Sequence, residues 1–181
     1  MGFQPIAKGG FKPLDPNLPT QHSALLCSPW KPMSGLVTPL PDIQLYDHQE
    51  CLTLDLPALK KAARAALPAI LASPGPENPS LPDLSEIEVS FITDEMIAKV
   101  HEKFLADPTP TDVITFAHGE ILISTETALR QAGEHTQVPE REVALYLIHG
   151  LLHLNGHEDT TEKGFHNMKR LQEQILDEVW P

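Results

Sequence analysis

The stretch VALYLIHGLLHLN, residues 143–155, limits the possible folds of this chain more than any other segment. It is apolar on nearly every side at helical spacing. Such a helix has no polar face to offer to water, so the remaining elements must wrap it completely. Its ends are marked as well. Pro139 suits a first helical turn, and Glu140 and Glu142 fall where the positive end of the helix dipole favours acid. Gly156 stands where a C-terminal glycine cap belongs. Inside this apolar helix sit two histidines, His149 and His153.

The neighbouring sequence supplies the wrapping. IQLYD, from Ile43, reads as a short strand. DLPALKKAARAALPAIL reads as a helix capped by Asp55, with Pro57 in its first turn. Leu56, Leu59, Ala63, Leu67 and Ile70 share its inner face, and Pro68 is expected to bend or break it late. Residues 73–83 read as a loop. EIEVSFIT (86–93) alternates, with Ile87, Val89 and Phe91 pointing one way, and predicts a half-buried strand. Thr93 caps a following helix whose expected inner face is Met96, Ile97, Val100 and Phe104. DVITF and EILIS predict a hairpin around Ala117, His118 and Gly119. TETALRQAG predicts a short helix ended by Gly133. The last segment places Phe165, Met168, Leu171, Ile175 and Val179 on one helical face.

The chain has 181 residues, room for one domain of ordinary size. Residues 1–40 are rich in proline and show no sustained periodicity. They predict a disordered or draped extension, and residues 41–181 the domain. A net charge of −12 argues against a broad phosphate-binding surface, though a metal or a local patch can still serve nucleic acid. Cys27 and Cys51 form no CxxC pair, so they read as reduced and structural. The opening MGFQPIAKGGFKPLDP lacks the apolar core of a signal peptide. No stretch approaches the roughly 18 apolar residues of a membrane helix. A cytoplasmic protein without membrane contact is expected.

Histidines at i and i+4 project from one helix face, and their ring nitrogens can converge on one ion. Zinc accepts such nitrogens, takes a third protein ligand and keeps a fourth position open for water. Gly156 turns the chain back, and three residues later Asp159 offers a carboxylate. The frame H-x-x-x-H-x-x-G-x-x-D matches the metzincin spacing, with aspartate for the last histidine. Two histidines on an apolar helix can also be hydrogen-bonded core residues. The pair, the glycine and the acid together favour one Zn2+ held by His149, His153 and Asp159. Zinc peptidases use a glutamate directly after the first histidine as general base. Here that position is Gly150, which suggests close packing or room for substrate instead of proton transfer. Phosphodiester cleavage depends less on such a glutamate, because a metal can neutralise charge on a phosphoryl oxygen.

The blocks HGLLHLNGHED (149–159), PTDVITF (110–116) and GEILIS (119–124) resemble the YbeY-type endoribonucleases of ribosomal RNA maturation. That family carries H-G-x-L-H-L-x-G-Y-D-H, which His149, Gly150, Leu152, His153, Leu154 and Gly156 match. It also carries P-T-D-V-L-S-F followed by G-D-I. The resemblance covers about residues 42–178. It implies a zinc-dependent hydrolase, cleavage of single-stranded RNA, and a role in small-subunit ribosomal RNA maturation and ribosome quality control. The family's third histidine is Asp159 here and its tyrosine is His157. An arginine the family often carries falls at Leu105, and its asparagine at His101.

The expected fold is therefore α+β: a small mixed β-sheet packed with helices, zincin-like, with a metal-binding helix followed by a glycine turn. The expected function is a metal-dependent endoribonuclease whose partners are single-stranded RNA and ribosomal RNA or the ribosome, with no DNA. The alternatives are a zinc peptidase-like hydrolase, which Gly150 disfavours, and a non-catalytic, metal-stabilised module docking on the ribosome. Asp112 is a candidate catalytic residue that could orient a site residue or a water, or simply form a turn before a strand. His118 could touch phosphate, His157 could replace a ligand, and His166 reads as a surface residue. Lys163, Lys169 and Arg170 could attract RNA or merely be solvated.

Overall fold

The structure is a computed structural model that describes residues 39–181. The extension read for residues 1–40 lies outside the described residues except for its last two, and Cys27 lies outside as well. The domain begins with β1 (Asp42–Asp47), α1 (Leu56–Leu71), β2 (Glu86–Ile92) and α2 (Asp94–Leu105). It continues with β3 (Val113–Phe116), β4 (Glu120–Ser124), α3 (Thr125–His135), α4 (Pro139–Leu154) and α5 (Glu162–Val179). The strands form one mixed sheet in the order β1-β2-β4-β3. β1 runs parallel to β2 and β2 parallel to β4, while β3 returns antiparallel to β4 as the expected hairpin. This is the α+β class that the sequence pattern predicts.

The alternation in β2 sets the two faces of the sheet. Ile87, Val89 and Phe91 are fully buried beside Ile121 and Ile123 of β4, against α1, α4 and α5. α4 runs through the middle of this cluster, buried without interruption from Glu142 to Leu152. Each fully buried leucine or isoleucine there contributes about 1.5–3 kcal/mol of transfer free energy. A second, smaller cluster on the opposite face joins Ile92, Ile114 and Leu122 to Ile97 of α2.

Local signals account for most element ends. Asp55 accepts from Ala58 N–H, Thr93 from Met96 N–H, Ser124 from Thr127 N–H and Thr161 from Gly164 N–H. Four expectations need correction. Met96 and Phe104 are 43% and 44% exposed, and the buried positions of α2 are Ile97 and His101. The four-residue β3 makes that face of the sheet narrow, so α2 covers it with one thin stripe. Pro68 lies inside α1 without ending it before Leu71, and Gly133 lies inside α3, which ends at His135 with Thr136 left-handed (φ 56°). Phe165 is 37% exposed; the rest of the expected face holds, with Met168 and Ile175 buried and Leu171 and Val179 partly buried, and Leu176 is buried in addition.

Candidate metal centre

α4 delivers both histidines to one place. The Nε2 atoms of His149 and His153 are 2.9 Å apart, with the rings nearly perpendicular at 89°. Past Leu154 the chain reverses through Gly156, whose φ of +84° suits a residue without a Cβ. Gly156 N–H donates to His153 O at 3.0 Å and His157 N–H to Leu152 O at 3.1 Å, the paired bonds of a Schellman turn. That turn brings Asp159 back over the helix end. One atom each from His149, His153 and Asp159 then lie within 4.8 Å of one another.

The loop after α1 clamps this turn, a function its sequence does not advertise. Gly75 N–H donates to Asn155 O (2.9 Å), Glu77 N–H to Gly156 O (3.1 Å) and Ser80 N–H to Leu154 O (2.9 Å). Asn155 Nδ2 reaches back to Ile70 O at 2.6 Å and Ser73 O at 3.1 Å. The approach is close enough that a Cβ on Gly75 would stand 2.0 Å from Gly156 O. His157, considered above as an alternative ligand, is turned into this clamp. Its Nε2 donates to Ser73 O at 2.6 Å.

The hydrogen bonds fix how the histidines present themselves. His149 Nδ1 lies 2.8 Å from Gln172 Oε1, and His153 Nδ1 lies 2.9 Å from His157 O. Both oxygens only accept, so each Nδ1 carries the proton and each Nε2 holds a lone pair. Two lone pairs therefore point toward each other at 2.9 Å. Burial holds His149 neutral by lowering its pKa to about 4. Burial, and then the neighbouring His149, lower His153 as well. Asp159 is 5% exposed, and neither carboxylate oxygen has a hydrogen-bond partner among the described residues. Burial raises its pKa, and His153 pulls the other way. An unpartnered buried carboxylate is costly. Two nitrogens bound tetrahedrally to one zinc are about 3.3 Å apart, given zinc–nitrogen bonds of 2.0–2.1 Å. The donor set and its spacing therefore fit a single divalent cation.

Asp112 is buried next to this centre in electrostatic terms. Its Oδ1 accepts from Val113 N–H at 2.9 Å and from Thr111 Oγ1 at 3.0 Å. Burial pushes its pKa up to about 6, opposed by those hydrogen bonds and assisted by the charge of Asp159. Tyr146 of α4 is raised in turn, first by burial and then by Asp112. Gly150 proves to be a packing residue. A Cβ there would stand 2.8 Å from Ile121 Cγ2, so α4 lies directly on β4 at this point.

The remaining candidates are dispersed. His118 is exposed at the hairpin turn, with Nε2 3.3 Å from Glu120 Oε2. His166 is exposed on α5. His101 is buried and donates from Nδ1 to Thr109 O at 2.8 Å, holding the segment after α2. Leu105 is half-buried at the end of that helix. Lys163, Lys169 and Arg170 are exposed on α5. Cys51 is a free, exposed thiol 3.3 Å from Thr125 Oγ1. Among the described residues no helix is long and apolar enough to cross a membrane. Sequence reading missed Gln172. The available signal was a polar residue four positions from both Met168 and Leu176 on the buried stripe of α5.

The model of the Endoribonuclease YbeY family matches residues 44–180. The chain belongs to the YbeY endoribonuclease family. Endoribonuclease YbeY of Protochlamydia amoebophila is 37% identical over 98 residues, which cover 48% of this chain and 65% of that protein. The chain thus spans just under two thirds of that relative's length. Endoribonuclease YbeY of Chlamydia pneumoniae is 28% identical over 149 residues, covering 74% of this chain and 88% of the relative. Among solved structures, the solution structure of TM1509 from Thermotoga maritima superposes with a TM-score of 0.52 at 25% identity. That match covers 76% of this chain and 89% of the other. The YbeY match takes in the whole of α4, the glycine turn, Asp159 and Asp112.

Proposed function

We propose that this chain is a zinc-dependent endoribonuclease that cuts single-stranded RNA, acting in the cytoplasm in small-subunit ribosomal RNA maturation and ribosome quality control. The observation that carries the proposal is the convergence of His149, His153 and Asp159, with both Nε2 lone pairs and an unpartnered carboxylate in one buried place. A zinc ion held there supplies Lewis acidity, for a phosphoryl oxygen or for a water.

The chain's own residues do the rest. Asp112 lies in the field of Asp159 and is held by Val113 N–H and Thr111. Its raised pKa leaves it ionised at neutral pH yet basic for a carboxylate, which suits taking or orienting a proton of the attacking hydroxyl. Lys163, Lys169 and Arg170 on α5 have no carboxylate partner among the described residues, so they can attract phosphate in a chain of net charge −12. The zinc peptidase alternative would need a general base at position 150, where even a Cβ meets Ile121.

The test compares single-stranded RNA with casein, each with and without chelator. The expected result is RNA cleavage that the chelator abolishes and zinc restores, with casein intact. Chelator-sensitive casein cleavage without RNA cleavage would reverse the proposal. Stoichiometric zinc with neither activity would favour the ribosome-docking alternative.

A further inference from the structure

We infer that Gln172 is the positioning residue of the metal centre: its side-chain oxygen selects the tautomer and ring orientation of His149. The inference rests on the metal site proposed above, but its first readout does not need a metal. Gln172 sits on α5, between Met168 and Leu176 on the face that packs against α4. Nothing in the packing of that apolar stripe calls for an amide. Its Oε1 lies 2.8 Å from His149 Nδ1, so Nδ1 must donate and Nε2 must keep its lone pair. The two histidines are supported differently. His153 is oriented by a backbone carbonyl, that of His157, which no substitution at 157 removes. At His149 the Nδ1 partner is a side chain from another helix.

The chemistry of the partner also matters. A carboxylate at position 172 would push negative charge through the imidazole onto the ion, as in carboxylate–histidine–zinc triads. An amide orients the ring without that charge. The centre already contains one carboxylate, Asp159, beside two neutral rings. A neutral Gln172 therefore preserves positive charge on the ion for a phosphate substrate. In this way α5 contributes to the site without supplying a ligand.

Nitrogen-15 NMR of the metal-free protein reads the tautomer directly. In the parent, His149 is expected as the Nδ1–H form. In Gln172→Leu, which suits the apolar stripe, and in Gln172→Ala, it should shift toward a mixture with the Nε2–H form. Competition with a chromophoric chelator should show zinc affinity ten- to a hundredfold weaker in both variants. Gln172→Glu should recover the Nδ1–H tautomer and bind zinc at least as tightly as the parent, a rescue that a merely space-filling role would not give. An Nε2–H tautomer at His149 in the parent would overturn the inference. So would parent-like tautomer and zinc affinity in Gln172→Leu. If the parent and Gln172→Leu show the expected tautomers but the parent binds no zinc, the proposed function fails while the orienting role of Gln172 stands.

Discussion

Asp112 and Asp159 are both buried acids, and their environments give them different behaviour. Asp112 has hydrogen-bond donors and a pKa raised to about 6, mainly by burial. Its folded pKa thus exceeds its unfolded value of 3.8. The folded state binds the extra proton between those values, so ionised Asp112 weakens the fold above about pH 6 and the penalty disappears as pH falls toward 3.8. Asp112→Asn keeps an acceptor for Val113 N–H and removes the charge. It should be more stable than the parent at pH 8 by about 1–3 kcal/mol. Denaturant unfolding at several pH values should show that gap closing by about pH 4. The same variant should cut RNA more slowly while binding zinc normally. Neither carboxylate oxygen of Asp159 has a hydrogen-bond partner among the described residues, and the carboxylate would reduce the Lewis acidity of a bound ion relative to a third histidine. Asp159→His should bind zinc and move the pH–rate profile to lower pH. At this scale the sequence displayed His149, His153 and Asp159, because helical spacing and one glycine turn suffice to place them. Gln172 was hidden because its meeting with His149 depends on how α5 docks on α4, 23 positions away.

At the level of elements, α4 and its turn are held by close backbone approaches that only glycine permits. Gly150→Ala gains about 1 kcal/mol of helix propensity. Against that, its Cβ would press on Ile121 Cγ2 at 2.8 Å. Overpacking of this kind costs about 1–3 kcal/mol. The expected outcome is a lower denaturant midpoint with the same slope. Gly75→Ala is a sharper test of the clamp, since its Cβ would collide with Gly156 O, a backbone atom. It should weaken zinc binding without altering any ligand. Unchanged zinc affinity in Gly75→Ala would show that the loop after α1 does not set the turn. Strand β2 was legible because its burial alternates, the hairpin because two short apolar runs flank a glycine-containing turn, and α4 because it is apolar nearly all round over a helix's length. The inner face of α2 was not. Phe104 and Met96 fit a helical stripe in sequence, but over the narrow sheet Ile97 and His101 take the buried positions, with Val100 packed beside Ile97's cluster. The clamp was also illegible, since it is made of backbone groups in a segment with no periodicity.

For the molecule as a whole, the apolar core among the described residues is built from residues between Ile43 and Leu176. Residues 1–40 carry no periodic apolar face, so their deletion should leave cooperative thermal unfolding and zinc content essentially unchanged. A broad, non-cooperative transition would mean that the extension completes the core. The α+β class was readable because strand-like runs precede the helical runs and mix with them along the chain. The central claim concerns one ion per chain at His149, His153 and Asp159, and zinc titration of the metal-free protein against a competing chelator tests it most directly. The parent should bind one equivalent, His157→Ala should stay close to it, and Asp159→Ala should lose most of its affinity. Tight binding by Asp159→Ala together with lost binding by His157→Ala would contradict the ligand set.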